Sequence, residues 1–139
     1  MSVPAGLESI AGAQELYDWF GYWPSFHDAE VSKFRLSIGE TSHLLLHTWQ
    51  MTNKIDAKGF YETTKHIVVE FELKSISIIN ITSDPWDRSI FLSLSLEKTE
   101  NGFRLSFDAA YGVSGSIEAQ GLSLRLTPGK PIPPSAVSS

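Results

Sequence analysis

The chain has 139 residues, no cysteine and a formal net charge of −5 from 11 basic and 16 acidic residues. Its length predicts one domain with one core, and the lack of thiols excludes disulfides and thiolate metal sites. The acidic balance argues against nucleic acid as a partner, because clustered lysine and arginine supply most of the affinity for phosphates. No apolar run reaches the roughly 20 residues that span a bilayer, and residues 1–12 lack the pattern of a secretion signal. We therefore expect a cytoplasmic protein without membrane contact.

The first predicted element is a short amphipathic helix at residues 13–20. Leu16, Trp19 and Trp23 follow the spacing of one helical face, and Gly21 supplies a helix stop. After Val31 apolar residues recur at every second position instead of at helical spacing, which is typical of strands with one solvent-exposed face. The alternating runs cover residues 31–38, 67–74, 90–97, 103–107 and 122–126.

Other segments are less regular. Residues 42–51 carry apolar side chains at both even and odd positions, which predicts a strand that is covered on both faces or forms part of a contact surface. The isoleucines of residues 76–81 break phase between Ile78 and Ile79, which predicts a bulge or a bend there, and Asn101-Gly102 predicts a tight hairpin. Residues 52–64 are polar around Gly59 and are predicted to form a mobile loop.

These elements predict a mainly β (α+β) fold. Clean alternation and short connections favour antiparallel pairing, because parallel strands need crossover helices and read as continuously apolar. We expect an N-terminal helix packed on an antiparallel sheet of six to eight strands, curled or doubled into a sandwich. Residues 1–127 should form a single globular domain, and the Pro/Ser-rich tail, 128–139, should be disordered.

Two apparent motifs, one catalytic and one metal-binding, do not meet the requirements of their chemistry. Gly112-Val113-Ser114-Gly115-Ser116 has serine where a nucleophile elbow needs its last glycine, so a glycine-bearing bend in or before a strand is predicted instead. His43 and His47 lie about 13 Å apart on a strand, too far to share an ion, whereas a helix there would bring them together. We expect no metal and no cofactor.

The most informative stretch is residues 23–31, Trp-Pro-Ser-Phe-His-Asp-Ala-Glu-Val, between the helix and the first strand. His27 beside Asp28 could act as base or ligand. No second acid or nucleophile accompanies them with fixed geometry, so a structural role is favoured. In that interpretation Asp28 caps backbone amides, and His27 fills a half-buried slot beside Trp23 and Phe26.

This stretch resembles the immunity protein 50 family of bacterial polymorphic toxin systems. The resemblance is carried by Trp23, Pro24, Phe26, His27, Asp28 and Glu30 after the short aromatic helix. It extends to the alternating strands and to the glycine-containing strand entry at residues 111–117. The resemblance implies a small cytoplasmic protein that binds and neutralises a protein toxin and catalyses no reaction.

An inhibitor of this kind needs a patch of charge and aromatic anchors. Glu70 and Glu72 share the exposed face of one predicted strand, while Asp84, Trp86 and Asp87 gather on one turn. We predict that these five residues contact the partner, with Trp86 as the anchor, because tryptophan is enriched at interfaces. The alternative is an ordinary solvated surface.

Other functions and partners stay open. A small-ligand binder would enclose a pocket lined by Trp49, Phe60 and Tyr61, and a hydrolase or nuclease would use His27 and Asp28 with His66. An uncovered edge strand would also allow a homodimer.

Overall fold

Six antiparallel strands follow one short helix in the computed structural model, which describes residues 3–37, 39–83 and 90–130. The strands pair in the order β1-β2-β3-β6-β5-β4, and β1 meets β4 so that the sheet closes on itself. The mainly β, antiparallel fold predicted above is confirmed, in the form of a closed sheet. The elements are α1 (Ala13–Phe20), β1 (Glu30–Arg35), β2 (Ser42–Ile55), β3 (Tyr61–Ser83), β4 (Ile90–Lys98), β5 (Phe103–Tyr111) and β6 (Val113–Pro128).

The predicted helix is confirmed with its stop signal. Gly21 adopts a left-handed conformation (φ 82°), and its N–H donates to the carbonyl of Tyr17, which closes the last turn. The buried face of α1, which includes Leu16 and Phe20, belongs to the same apolar core as the strands. Within the described residues, no helix combines the length and the apolar character that a membrane crossing requires.

The core lies inside the closed sheet, because alternate residues of each strand point inward. The strand period read from the sequence identifies these residues correctly for β3, β5 and the last part of β6. In β4 it is correct for Leu94 but wrong at the start, where Phe91 is buried instead of Ile90 because the pairing with β5 shifts register there. Burial of so many large side chains fills the interior and supplies the main stabilising free energy. The innermost side chains of the strands are Leu44, Leu46, Ile67, Val69, Phe71, Leu73, Phe91, Leu105 and Ile117.

The mobile loop predicted at residues 52–64 is wrong. β2 and β3 continue through this segment as a two-stranded hairpin, and only residues 56–60 form the turn. The side chain of Asp56 accepts the backbone N–H groups of Lys58 (2.8 Å) and Phe60 (3.0 Å), which orders the turn. The polar composition arises because both faces of this hairpin are solvated.

Smaller predictions are settled by the strand pairing. The hairpin at residues 99–102 is confirmed and joins β4 to β5. The bulge is confirmed, but it lies between Ile76 and Ile78 on β3. The first strand ends at Arg35, before Leu36, earlier than the alternation predicted. β6 continues to Pro128, and residues 131–139 of the predicted tail lie outside the described residues.

Candidate functional site

The aromatic elbow, residues 23–29, is buried on one side. Phe26 packs edge-on against Phe71 of the core with 5.7 Å between ring centroids, and Pro24 and Ala29 are buried beside it. Phe26 and Asp28 both adopt positive φ angles, 61° and 66°. Such angles are unfavourable for residues with a side chain and persist only when surrounding contacts hold them.

Backbone hydrogen bonds to β4 supply those contacts. The N–H of Asp28 donates to the carbonyl of Phe91 (2.8 Å), and the N–H of Phe91 donates to the carbonyl of Ala29 (3.0 Å). A third bond runs from the N–H of Leu94 to the carbonyl of Ser25 (3.0 Å). Since β1 itself shares a single register pair with β4, the elbow makes most of the connection that closes the sheet.

The polar pair of the elbow points outward. The side chains of His27 and Asp28 are 62% and 51% exposed, with His27 Nδ1 3.1 Å from Asp28 Oδ2. The half-buried slot predicted for His27 is therefore wrong. The two neighbours meet because the positive φ of Asp28 breaks the alternation that would separate them on a strand. The N–H of His27 donates to Ser25 Oγ (3.4 Å).

A surface depression of about 270 Å³ lies beside the elbow. Tyr22, His27 and Asp28 form one side of it, and Trp49 and Met51 of β2 form another. The ligand pocket proposed from the sequence would combine Trp49 with Phe60, but Phe60 lies in the β2–β3 turn and does not line this depression. Tyr61 begins β3 at the same turn.

Two histidines meet on the outer face of the sheet. The rings of His47 (β2) and His66 (β3) stack with centroids 5.1 Å apart, and His47 Nε2 lies 3.0 Å from His66 Nδ1. Trp49 packs against both rings, at 5.0 and 5.9 Å. His66 Nε2 is also 2.9 Å from Thr63 Oγ1. His66, suggested above as a partner of His27, is instead the partner of His47.

Burial keeps these imidazoles from taking up protons. It lowers the pKa of His47, and the neighbouring ring of His66 and Lys130 lower it further, while Glu30 acts in the opposite direction. Burial also lowers the pKa of His66, with a contribution from Lys130. Both rings are therefore mainly neutral at pH 7, as one donor and one acceptor in their shared hydrogen bond.

The β2–β3 hairpin exposes large apolar side chains. Met51 is 55% exposed, Ile55 is 63% exposed and Phe60 is 69% exposed. Tyr22 is also exposed and shares the depression described above with Met51. We call Tyr22, Met51, Ile55 and Phe60 the hairpin surface. Sequence patterning did not single out this surface, because a mobile loop was predicted where the hairpin forms.

Glu70 and Glu72 lie on the outer face of β3, as predicted, and each contacts a nitrogen-bearing side chain of a neighbouring strand. His43 Nδ1 is 2.7 Å from Glu70 Oε2, and Arg125 Nη2 is 3.6 Å from Glu72 Oε1. The ligand atoms of His43, Glu70 and Glu72 lie within 4.8 Å of one another, so these residues could hold a cation. Arg125 therefore already offsets the charge of Glu72 in this group. The predicted turn residues Asp84, Trp86 and Asp87 lie outside the described residues.

No protein-family model, curated protein or solved structure matches the chain. The resemblance to the immunity protein 50 family therefore rests on the residues of the elbow and remains a prediction.

Ser114, the serine of the apparent nucleophile motif, has a structural contact. Its Oγ accepts the backbone N–H of Ala109 (2.9 Å) across the β5–β6 turn. Gly115 beside it lies near the start of β6, in agreement with the predicted glycine-bearing bend in or before a strand, and pairs with Ile81 and Phe107 on its two sides. This strand context differs from the strand-to-helix turn of a nucleophile elbow.

Proposed function

We propose that this chain is a non-enzymatic protein-binding module of the immunity type, which binds and neutralises a bacterial toxin in the cytoplasm. The observation that carries the proposal is the hairpin surface, where an ordered turn holds Phe60 and Ile55 largely in solvent. Apolar side chains of this size normally lie in the core. Phenylalanine and methionine are also among the residues enriched where proteins bind one another.

Rigidity supports a binding role for this hairpin. Asp56 ties the turn together through two side-chain hydrogen bonds, and its backbone adds bonds to Phe60 and Gly59. A preorganised loop loses little conformational entropy when it binds, so more of its contact energy appears as affinity. Phe60 is thus presented as a ready anchor for a pocket on a partner.

Charge indicates the kind of partner. The chain carries a net charge of −5, and its field would attract a basic protein and speed the encounter. The hairpin itself carries both signs, with Lys54 and Lys58 near Asp56 and Glu62, as is common at the rim of an interface. A basic toxin domain with an apolar cleft fits both features.

The structural role of the elbow also supports a function without catalysis. Its apolar residues Pro24, Phe26 and Ala29 are buried, and its backbone bonds close the sheet against β4. The stretch on which the family resemblance rests therefore has an architectural explanation that requires no catalysis. His27 and Asp28 project beside Tyr22 at the border of the hairpin surface, where they can contact a bound partner.

The proposal is tested with the protein encoded by the gene next to that of this chain, which we expect to carry a toxin domain. Wild-type protein should bind that domain in calorimetry and protect a bacterial host that expresses it. Replacing an interface anchor costs at least about 2 kcal/mol. Phe60→Ser should therefore weaken binding about thirtyfold or more and abolish protection.

Ile79→Ser is the matched control, since it removes a similarly exposed apolar side chain from a distant part of β3. It should bind and protect like the wild type, and Phe60→Ser should keep the wild-type melting temperature. Equal affinity of the Phe60→Ser variant and the wild type would contradict the hairpin surface as the binding site. Failure of the wild type to bind or protect would contradict the toxin assignment.

A further inference from the structure

The last part of β3 lies at an open edge of the sheet. The pairing of β2 with β3 ends at Ser42 opposite Leu73, whereas β3 continues to Ser83. Over residues 76–83, β3 pairs with β6 on its other side. Among the described residues, no strand pairs with the free side of this segment.

The open segment lacks the features that normally prevent edge-to-edge pairing. After the bulge, residues 78–83 read Ile-Ile-Asn-Ile-Thr-Ser and contain neither a charge nor a proline. Proteins commonly protect an exposed edge with lysine, proline or a bulge. Ile78 and Ile79 are each 50% exposed here, so apolar area as well as backbone donors and acceptors is available.

A groove runs beside this edge. It has a volume of about 530 Å³ and lies between the β1–β2 connection and β3. Leu36 from the connection and Ile76 and Ile79 from β3 provide its apolar lining. A strand added to the edge could place its own isoleucines against these side chains.

We propose that a second copy of this chain pairs antiparallel along residues 78–83, about a two-fold axis. A two-fold interface brings a segment onto itself, so a charge on this short segment would lie near the same charge of the other copy. This edge is neutral although the chain carries a net charge of −5, and it can therefore meet itself without repulsion. Six paired residues span about 20 Å, a usual strand length. The dimer leaves the hairpin surface free.

The oligomeric state of the full chain tests this proposal. Light scattering coupled to size exclusion, from about 1 to about 200 μM protein, should show a monomer that converts to a dimer. Ile79→Lys puts a charged side chain on each copy of this otherwise neutral, apolar edge, as natural edge strands do, and should raise the dimer dissociation constant at least about tenfold. Phe60→Lys adds the same charge to an exposed apolar site on the hairpin surface and should dimerise like the wild type.

Hydrogen exchange of the wild type provides a test that needs no variant. Amides of residues 78–83 should become more protected as the concentration rises, while those of residues 56–60 should not change. A wild type that stays monomeric throughout, or an Ile79→Lys variant that dimerises normally, would overturn the proposal. Neither result bears on toxin binding, whereas loss of the dimer in the Phe60→Lys variant would place the interface on the hairpin surface instead.

Discussion

Replacing Gly115 with alanine should be among the most destabilising small changes in this chain. Gly115 lies on β6 between β3 and β5 and has a φ of 150°. A Cβ atom added there would lie 2.0 Å from the carbonyl oxygen of Asn80 and 2.8 Å from the Cα atom of Ile81. Both contacts involve backbone atoms of β3, so no side-chain rotation can relieve them.

The size of the effect follows from two contributions. Holding a residue with a side chain in this region of φ costs about 1–3 kcal/mol, and forcing extra volume between packed elements costs about 1–3 kcal/mol more. Their sum, about 2–6 kcal/mol, is a large part of the 5–15 kcal/mol that is typical of folded proteins. Gly59 is the matched control, because its φ is 87° but nothing lies within 4 Å of an added Cβ.

Urea denaturation followed by tryptophan fluorescence measures both free energies of unfolding. Gly115→Ala should lower the transition midpoint strongly, whereas Gly59→Ala should lose only the backbone contribution of about 1–2 kcal/mol. If the two variants lost the same stability, the close approach of β3 and β6 at this position would be refuted. An unchanged midpoint for Gly115→Ala would refute the strained backbone as well.

Three further predictions concern the elbow, the histidines and the hairpin. Phe26→Ala should lower the free energy of unfolding by about 3–5 kcal/mol because it leaves a cavity in the core. His27→Ala, at an exposed side chain, should change the free energy of unfolding by less than about 0.5 kcal/mol in the same urea titration, and similar losses for the two variants would contradict the outward placement of the imidazole. The pKa values of His47 and His66 are lowered from 6.5 in the folded chain, so the unfolded chain binds more protons than the folded chain as the pH falls. The contribution of the two histidines to stability is therefore complete above pH 6.5 and is lost as the pH falls through the lowered pKa values. Urea midpoints at about pH 7.5 and about pH 5.5 should show this fall, by at most about 1.4 kcal/mol per pH unit for each proton, and His47→Gln should reduce the slope; greater stability at the lower pH would contradict the sign. Asp56→Ala should speed amide exchange in the turn at residues 56–60 and leave the core amides unchanged, and equal exchange in both chains would show that the side chain does not order the turn.

Patterns within single segments predicted most of the secondary structure. The helix at α1, the inward residues of β3 and the hairpin at residues 99–102 depend on side-chain period and turn residues, which act between near neighbours. The hairpin at residues 52–64 was mistaken for a loop because both of its faces are solvated, so no alternation distinguishes them. The order there comes from Asp56 and from cross-strand pairing.

The candidate sites depended on contacts between distant segments. His47 and His66 are 19 residues apart and meet because β2 and β3 pair in one particular register. The elbow at residue 26 is held by Phe91 and Leu94 of β4, which no local pattern relates to it. Over the part of the chain that the structure describes, β3 is paired on one side only beyond Leu73, because its pairing with β2 ends there.

By itself, the sequence determined the helix, most of the strand segments and the inward side chains of the regularly alternating strands, because these properties follow from the period of apolar residues and from glycine, proline and asparagine at turns. Only the tertiary structure decided which strands are neighbours, that the sheet closes at the elbow, and which polar and apolar groups share a surface. The physical reason is that the backbone hydrogen-bonding groups of all strands are chemically alike, so they do not specify which strands pair. The order and register of the strands are instead determined by the packing of the whole core.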